Sequence, residues 1–209
     1  QEWVTGKKFC TYSVCHHGKL SALSIYPVNY AIDGNSCLTF ESIDHQGILD
    51  WITHFVKSMN YTGQIAFDFI EIDDGRLFAI ECNPRATSGL LLFGLKDGLC
   101  TAFLDTNKQL VRPKKGSRRQ IAAGMLLYGW RKGAKPGNKI TDFLKHFLST
   151  KDVIYRTRDI KPFLSEPLVF AKIWLNSKRM KLSIPNYFTF DHDWNGEPIE
   201  TKKEIKAAL

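Results

Sequence analysis

Gly63-Gln-Ile-Ala-Phe-Asp-Phe-Ile-Glu-Ile-Asp-Asp-Gly-Arg-Leu-Phe-Ala-Ile-Glu-Cys-Asn83 decides how this chain is read. Two apolar runs rich in aromatic and β-branched residues flank an Asp-Gly turn signal, which predicts a β-hairpin. With Asp74-Gly75 as a two-residue loop, Asp73 faces Arg76, and the ladder brings Asp68 opposite Glu81. Their Cβ atoms would then lie about 5 Å apart on one face. The strand period puts Asn83 on that face as well. Phe67, Phe69, Phe78 and Ile80 fall on the other face, which suits a core, and Cys82 is expected buried on that side. Two opposed carboxylates repel each other unless a cation sits between them. The hairpin therefore predicts a metal site; a solvated acidic sheet edge is the plain alternative.

The donors are all oxygen. Asp68, Glu81 and Asn83 suit a hard cation, Mg²⁺ or, in its place, Mn²⁺, held by a few carboxylates together with substrate phosphates. Pro84 holds Asn83 extended and ends the strand in a set direction. Arg85 follows, a planar fork of donors matched to phosphate oxygens.

Asp68 followed by Glu81-Cys-Asn83-Pro84-Arg85 resembles the metal-binding end of the ATP-grasp superfamily, in particular its carbamoyl-phosphate synthetase large-chain branch. The resemblance runs upstream. Gln1-Glu2-Trp3-Val4-Thr5-Gly6 is similar to the hinge that meets adenine, and strands Lys8–Cys15 and Lys19–Tyr26 follow. Gly34-Asn35-Ser36 resembles the loop beside the reacting phosphate, and residues 47–60 the helix after it. The similarity covers residues 1–105, expected as an α+β carboxyl-terminal lobe, an antiparallel sheet with helices. It implies that Asp68, Glu81 and Asn83 bind Mg²⁺ and ATP phosphates and that Arg85 is catalytic at the transferred phosphoryl group. Glu2, Trp3 and Val4 would lie against adenine. The implied reaction is ATP-dependent ligation of a carboxylate to an amine or related nucleophile through an acyl phosphate. Where the family places an acid for the ribose, this chain has Lys7, Lys8 and Phe9 after Gly6. The family also has an earlier half with phosphate-binding lysines and a glycine-rich lid. This chain, starting at Gln1, is expected to be the carboxyl-terminal part of a longer enzyme.

At 209 residues and 44% hydrophobic content the chain can bury a real core. No apolar run approaches a membrane span. Cysteines 10, 15, 37, 82 and 100 include no Cys-x-x-Cys, which predicts reduced thiols in a cytoplasmic protein. Charge divides the chain. Residues 1–100 carry net −4 and residues 101–209 net +12, together +8. Turn-forming and charged residues place the boundary near 105–116, with a basic, smaller mixed α/β extension over residues 106–209.

Ahead of that boundary, residues 87–104 read as a helix, offering Thr87 and Ser88 either to the acceptor substrate or as helix caps. In the basic half, residues 120–128 and 152–158 read as strands and 140–148 as a helix. Residues 162–176 carry a helical pattern interrupted by Pro167. Arg156 and Arg158, on one face of such a strand, are candidates for gripping a substrate carboxylate. The remaining cations cluster at 112–119, 131–139 and 172–181, a field that would steer an anionic partner. No zinc-finger, helix-turn-helix or ribonucleoprotein motif supports nucleic acid. Expected partners are an anionic small-molecule carboxylate and a nucleophile. The competing reading is a non-catalytic ATP-grasp-like module that binds a polyanion through its basic half. Asp191-His192-Asp193 and His16-His17 read as polar turns.

Overall fold

The computed structural model describes residues 2–32, 36–104, 109–130 and 140–189. The chain forms two compact units, Gln1–Tyr155 and Arg156–Leu209. The architecture is α+β, an antiparallel sheet with helices, as the sequence predicts.

The first unit is organised by strands β1 (Lys7–His16) and β2 (Lys19–Pro27). The two residues between them, His17 and Gly18, have φ of 45° and 75°, the positive values of a tight primed hairpin turn. Strand β3 (Ala31–Ile32) pairs with β4 (Ser36–Cys37), and β5 (Thr39–Glu41) follows. Helix α1 (Gln46–Ser58) precedes β6 (Gly63–Glu71) and β7 (Leu77–Asn83). The main sheet has the order β2-β1-β6-β7 and is antiparallel throughout.

Helix α1 covers one face because Ile48, Ile52 and Val56 recur at helical spacing. They pack on Phe9, Leu23, Ile25, Phe67 and Phe69. His45 caps this helix, its Nδ1 accepting from the Ile48 amide at 3.3 Å, while Nε2 lies 3.2 Å from Glu71. A 3₁₀ turn (Ser88–Leu92) and α2 (Leu99–Leu104) contribute to the opposite face, where Tyr12, Val14, Ala22 and Ala102 form a second cluster. The middle strands are thus buried on both faces, and β7 is the exposed edge.

The β1–β6 ladder has an interruption that a side chain repairs. Between the pairs Cys10↔Asp68 and Ser13↔Ile65, the buried Thr11 hydroxyl accepts from the Phe67 amide at 2.9 Å and donates to the Phe67 carbonyl at 3.0 Å. Thr11→Val keeps the shape and removes both partners. It is expected to cost about 1–3 kcal/mol, the desolvation penalty of buried backbone groups left unpaired. Denaturant unfolding would measure this; an unchanged midpoint would contradict the described ladder.

A smaller sheet has the order β5-β8-β9, with β8 (Arg118–Gln120) antiparallel to β5 and parallel to β9 (Lys151–Asp152). Val111 also bridges to Ala22. Residues on both sides of the expected 105–116 boundary therefore pack within the first unit. Between β8 and β9 lie α3 (Ala122–Gly124), a π-helical turn (Met125–Gly129) and α4 (Ile140–Ser149). The second unit contains α5 (Lys161–Arg179) and α6 (Ile184–Thr189), joined by Asn176 Nδ2 donating to the Tyr187 hydroxyl at 3.1 Å. Among the described residues, no helix is long and apolar enough to cross a membrane.

Four elements differ from expectation. Residues 87–104 are two short helices, since Gly98 takes φ 78° and the Asp97 carboxylate accepts from the Gly94 amide between them. Residues 122–129 are helical, because Asp152 Oδ1 accepts from the Ala122 amide and starts a turn there. Gly124 also lets that turn approach Leu38, where a Cβ would lie 2.7 Å from Leu38 Cδ2. The strand expected over 152–158 stops at Asp152, whose carboxylate instead accepts from the Ile154 and Tyr155 amides in a turn. Helix α5 runs through Pro167, which forgoes one backbone donor inside it.

Candidate functional site

The acidic site is set by the β6–β7 hairpin, and its loop is longer than expected. Ile72 pairs with Arg76 (N–H to carbonyl, 3.1 Å), and the Gly75 amide donates to the Ile72 carbonyl at 2.9 Å. Gly75, at φ 84°, occupies the left-handed position of a three-residue loop. Asp74 secures the turn by accepting from the Arg76 amide and from its guanidinium Nε at 2.8 Å. This loop slips the ladder by one residue, giving Ile70↔Phe78 and Phe69↔Ala79. Ile80 is then a bulged residue, and beyond it the register becomes Asp68↔Glu81 and Ala66↔Asn83. The two departures cancel. Asp68 faces Glu81, as the sequence predicts, by a different route.

The bulge has a cost for the other assignments. It moves Phe78 onto the Asp68 face, paired with Ile70, with the Arg76 guanidinium 5.8 Å from its ring centroid. Ile80 is 39% exposed. Cys82 lies opposite buried Phe67, yet it is exposed, because β7 is the sheet edge.

Asn83 Nδ2 donates to Glu81 Oε1 at 2.8 Å, which orients the Glu81 carboxylate and leaves the amide oxygen as a further donor. Asp68 is half-buried, and its carboxyl is held above the usual range chiefly by burial and also by the Glu81 charge. A hydrogen bond from Cys10 and the charges of Arg85 and Lys8 act in the opposite direction.

Sequence reading did not bring Lys8, Cys10, Tyr26 or Cys37 to this place. Cys10 is the cross-strand partner of Asp68 on one side and of Tyr26 on the other. Cys10 and Cys37 pack against one cluster with Tyr26, Phe40 and Leu92. A hydrogen bond with Cys37, burial and the nearby Asp68 charge all push the Cys10 thiol up, while Cys10 holds that of Cys37 down. Burial, with these neighbours, pushes the Tyr26 phenol up.

Arg85 is exposed, its Nη1 3.3 Å from the Ala86 carbonyl, and its charge reaches Asp68. The Thr87 hydroxyl donates to the Thr11 carbonyl at 3.1 Å and makes no cap bond to the 3₁₀ turn, which Ser88 opens. Glu2, Trp3 and Val4 precede β1, with Trp3 90% exposed. A Cβ on Gly6 would lie 2.2 Å from the Glu71 carbonyl oxygen, so this position demands glycine for close approach. Arg156 and Arg158 are exposed in the second unit, at a turn where Arg156 bridges Asp159. Gly34, Asn35, residues 131–139 and Asp191-His192-Asp193 lie outside the described residues.

Among the described residues, no three His, Cys, Asp or Glu side chains gather as a metal cluster. The acidic face offers two carboxylates and an amide. A pocket of about 180 Å³, lined by Tyr30, Arg118, Asp142, Lys145, His146 and Ser149, shares no residue with it. The acidic face is an open sheet edge.

No family model and no curated protein matches the sequence. Solved structures give partial likenesses. An L-amino acid ligase from Bacillus licheniformis shares 14% identity over 42% of this chain and 24% of its own, with a TM-score of 0.34. N5-carboxyaminoimidazole synthetase from Staphylococcus aureus, complexed with ADP, shares 12% over 41% and 24%, at 0.34. Biotin carboxylase from Campylobacter jejuni, as a beta-gamma-ATP complex, shares 12% over 56% and 29%, at 0.38. This chain thus spans about a quarter of the length of each.

Proposed function

We propose that Asp68, Glu81 and Asn83 bind ATP phosphates through Mg²⁺, or Mn²⁺ in its place, in a ligase of the ATP-grasp kind. The observation that supports this reading is the cross-strand pairing of Asp68 with Glu81, with Asn83 bonded to Glu81 on the same edge. The donor set fits a hard cation. Asp68 lies where burial and a second carboxylate disfavour its charge, and a cation would relieve both. When bound, the cation supplies charge neutralisation at the phosphoryl group in transfer.

In this reading a carboxylate oxygen of the substrate attacks the γ-phosphorus and ADP leaves. An amine or related nucleophile then displaces phosphate from the acyl phosphate. Arg85, exposed beside the acid pair, donates to the phosphoryl oxygens as their charge shifts. Glu2, Trp3 and Val4 meet adenine. Thr87 and Ser88 border the phosphate region, although the Thr87 hydroxyl also holds Thr11 in place. Arg156 and Arg158 attract the acceptor, an anionic carboxylic acid.

Titrating Mn²⁺ into the full-length protein with ATP, followed by electron paramagnetic resonance, tests the site. Glu81→Gln is expected to weaken binding by about tenfold or more, equivalent to roughly 1.4 kcal/mol. Unchanged affinity would reject the reading. The polyanion module predicts instead a steep loss of affinity with salt and indifference to Glu81→Gln. The net +12 of residues 101–209 favours it. Against it, Arg112 and Lys115 pair with Asp44, and Arg118 pairs with Glu41, so three of the five cations in the first basic cluster already face acids.

A further inference from the structure

The pocket of about 180 Å³ lies within the first unit, away from the residues of the acidic face. Helix α4 supplies one wall. Asp142, Lys145, His146 and Ser149 follow one another at i, i+3, i+4 and i+7, so they fall on one side of that helix. Arg118, the first residue of β8, supplies another wall. Tyr30 also lines the space; it is buried, and its ring centroid lies 5.0 Å from that of His146.

These walls are held by contacts of their own. Phe143 of α4 is buried in one cluster with Tyr30, Leu38 and Met125. Gln120, two residues on from Arg118, donates from Nε2 to the Phe147 and Thr150 carbonyls at 2.8 and 2.9 Å, which ties the end of α4 to β8. Arg118 faces Glu41 across the β5–β8 ladder, and its Nη2 donates to Glu41 Oε1 at 2.7 Å. A guanidinium has five N–H donors, so this bond orients the group and leaves donors over. Among the described residues, Asp142 and Lys145 are in no ion pair.

Charge and size narrow the occupant. Two cations and one carboxylate line the space. A simple anion would satisfy Arg118 and Lys145 but would set a like charge against Asp142. A molecule with both a carboxylate and an ammonium complements all three. The volume is below the roughly 300 Å³ at which sites for drug-sized ligands begin, so the occupant is smaller than a nucleotide. We infer that this pocket binds a free α-amino acid. Lys145 and the Arg118 fork hold its carboxylate, and Asp142 accepts from its ammonium. The site is separate from the phosphoryl chemistry proposed above and does not rest on it.

Isothermal titration calorimetry of the full-length protein with L-alanine, L-serine and L-glutamate tests the inference. At least one is expected to bind saturably, at one site per chain. Propionate and ethylamine, which carry one charge each, should bind at least tenfold more weakly. Lys145→Ala and Asp142→Asn, both at exposed positions, should each weaken amino-acid binding about tenfold or more with thermal unfolding unchanged, because each removes a charge-assisted hydrogen bond. Three results would each overturn it: no binding by any of the three amino acids, binding that survives both substitutions, or propionate or inorganic phosphate binding as tightly as the amino acid. The Mn²⁺–ATP titration reports on the acidic face alone, so the two readings fail separately.

Discussion

Asp68→Asn combined with Glu81→Gln is expected to abolish Mg²⁺-dependent phosphoryl transfer from ATP in the full-length protein while leaving the fold intact. Each carboxylate is invoked for charge stabilisation of the phosphoryl group in transfer, and losing one well-placed group of that kind costs on the order of a hundred- to a thousandfold. The combined loss should therefore be about a thousandfold or more. Folding should not suffer. Asp68 is half-buried opposite another acid, so the pair of substitutions removes a repulsion and Asp68→Asn also removes a desolvation cost. Phosphate release across carboxylate and amine pairs measures the first effect, and thermal unfolding the second. Retained turnover would sink the assignment, and a collapsed fold would show the acids to be structural.

Phe67→Ala should be among the most destabilising substitutions on the sheet, at about 3–5 kcal/mol. Phe67 is 2% exposed, and its ring centroid lies 5.1 Å from Trp51, 4.9 Å from Phe55 and 6.1 Å from Phe69. Truncation opens a cavity between β6 and α1 that three rings cannot collapse to fill. Against a total stability of about 5–15 kcal/mol, such a loss would make the unit marginal. Urea unfolding gives the value; a loss below about 1 kcal/mol would mean that α1 does not pack on this face as described.

What could be read from the sequence was mostly local. The β6–β7 hairpin announces itself within 21 residues through alternation and an Asp-Gly signal, and α1 through Ile48, Ile52 and Val56. The bulge at Ile80 carries no such mark, since isoleucine suits an ordinary strand position equally well. Residues 120–128 look like a buried strand because they are almost all apolar. A carboxylate some 30 residues later, Asp152, makes them a helix. Cys10 was missed for the same reason. Its place beside Asp68 depends on the pairing of β1 with β6, strands separated in sequence by β2 to β5 and α1, and no short-range signal specifies that register. Cys82 was assigned to the correct side, but its burial depends on what covers the sheet edge, which alternation does not encode.

The bulge at Ile80 lets one short strand serve two masters. In an unbroken strand Leu77, Ala79, Glu81 and Asn83 would share a face, and the side chain that meets α1 would be tied by parity to the acids. With one extra residue, Leu77 joins the α1 core while Glu81 and Asn83 turn to the opposite side with Asp68. Sequence drift before Ile80 is then filtered by packing, and drift after it by whatever the acidic edge holds. The two halves of β7 can change under separate constraints, with Ile80 as the partition between them.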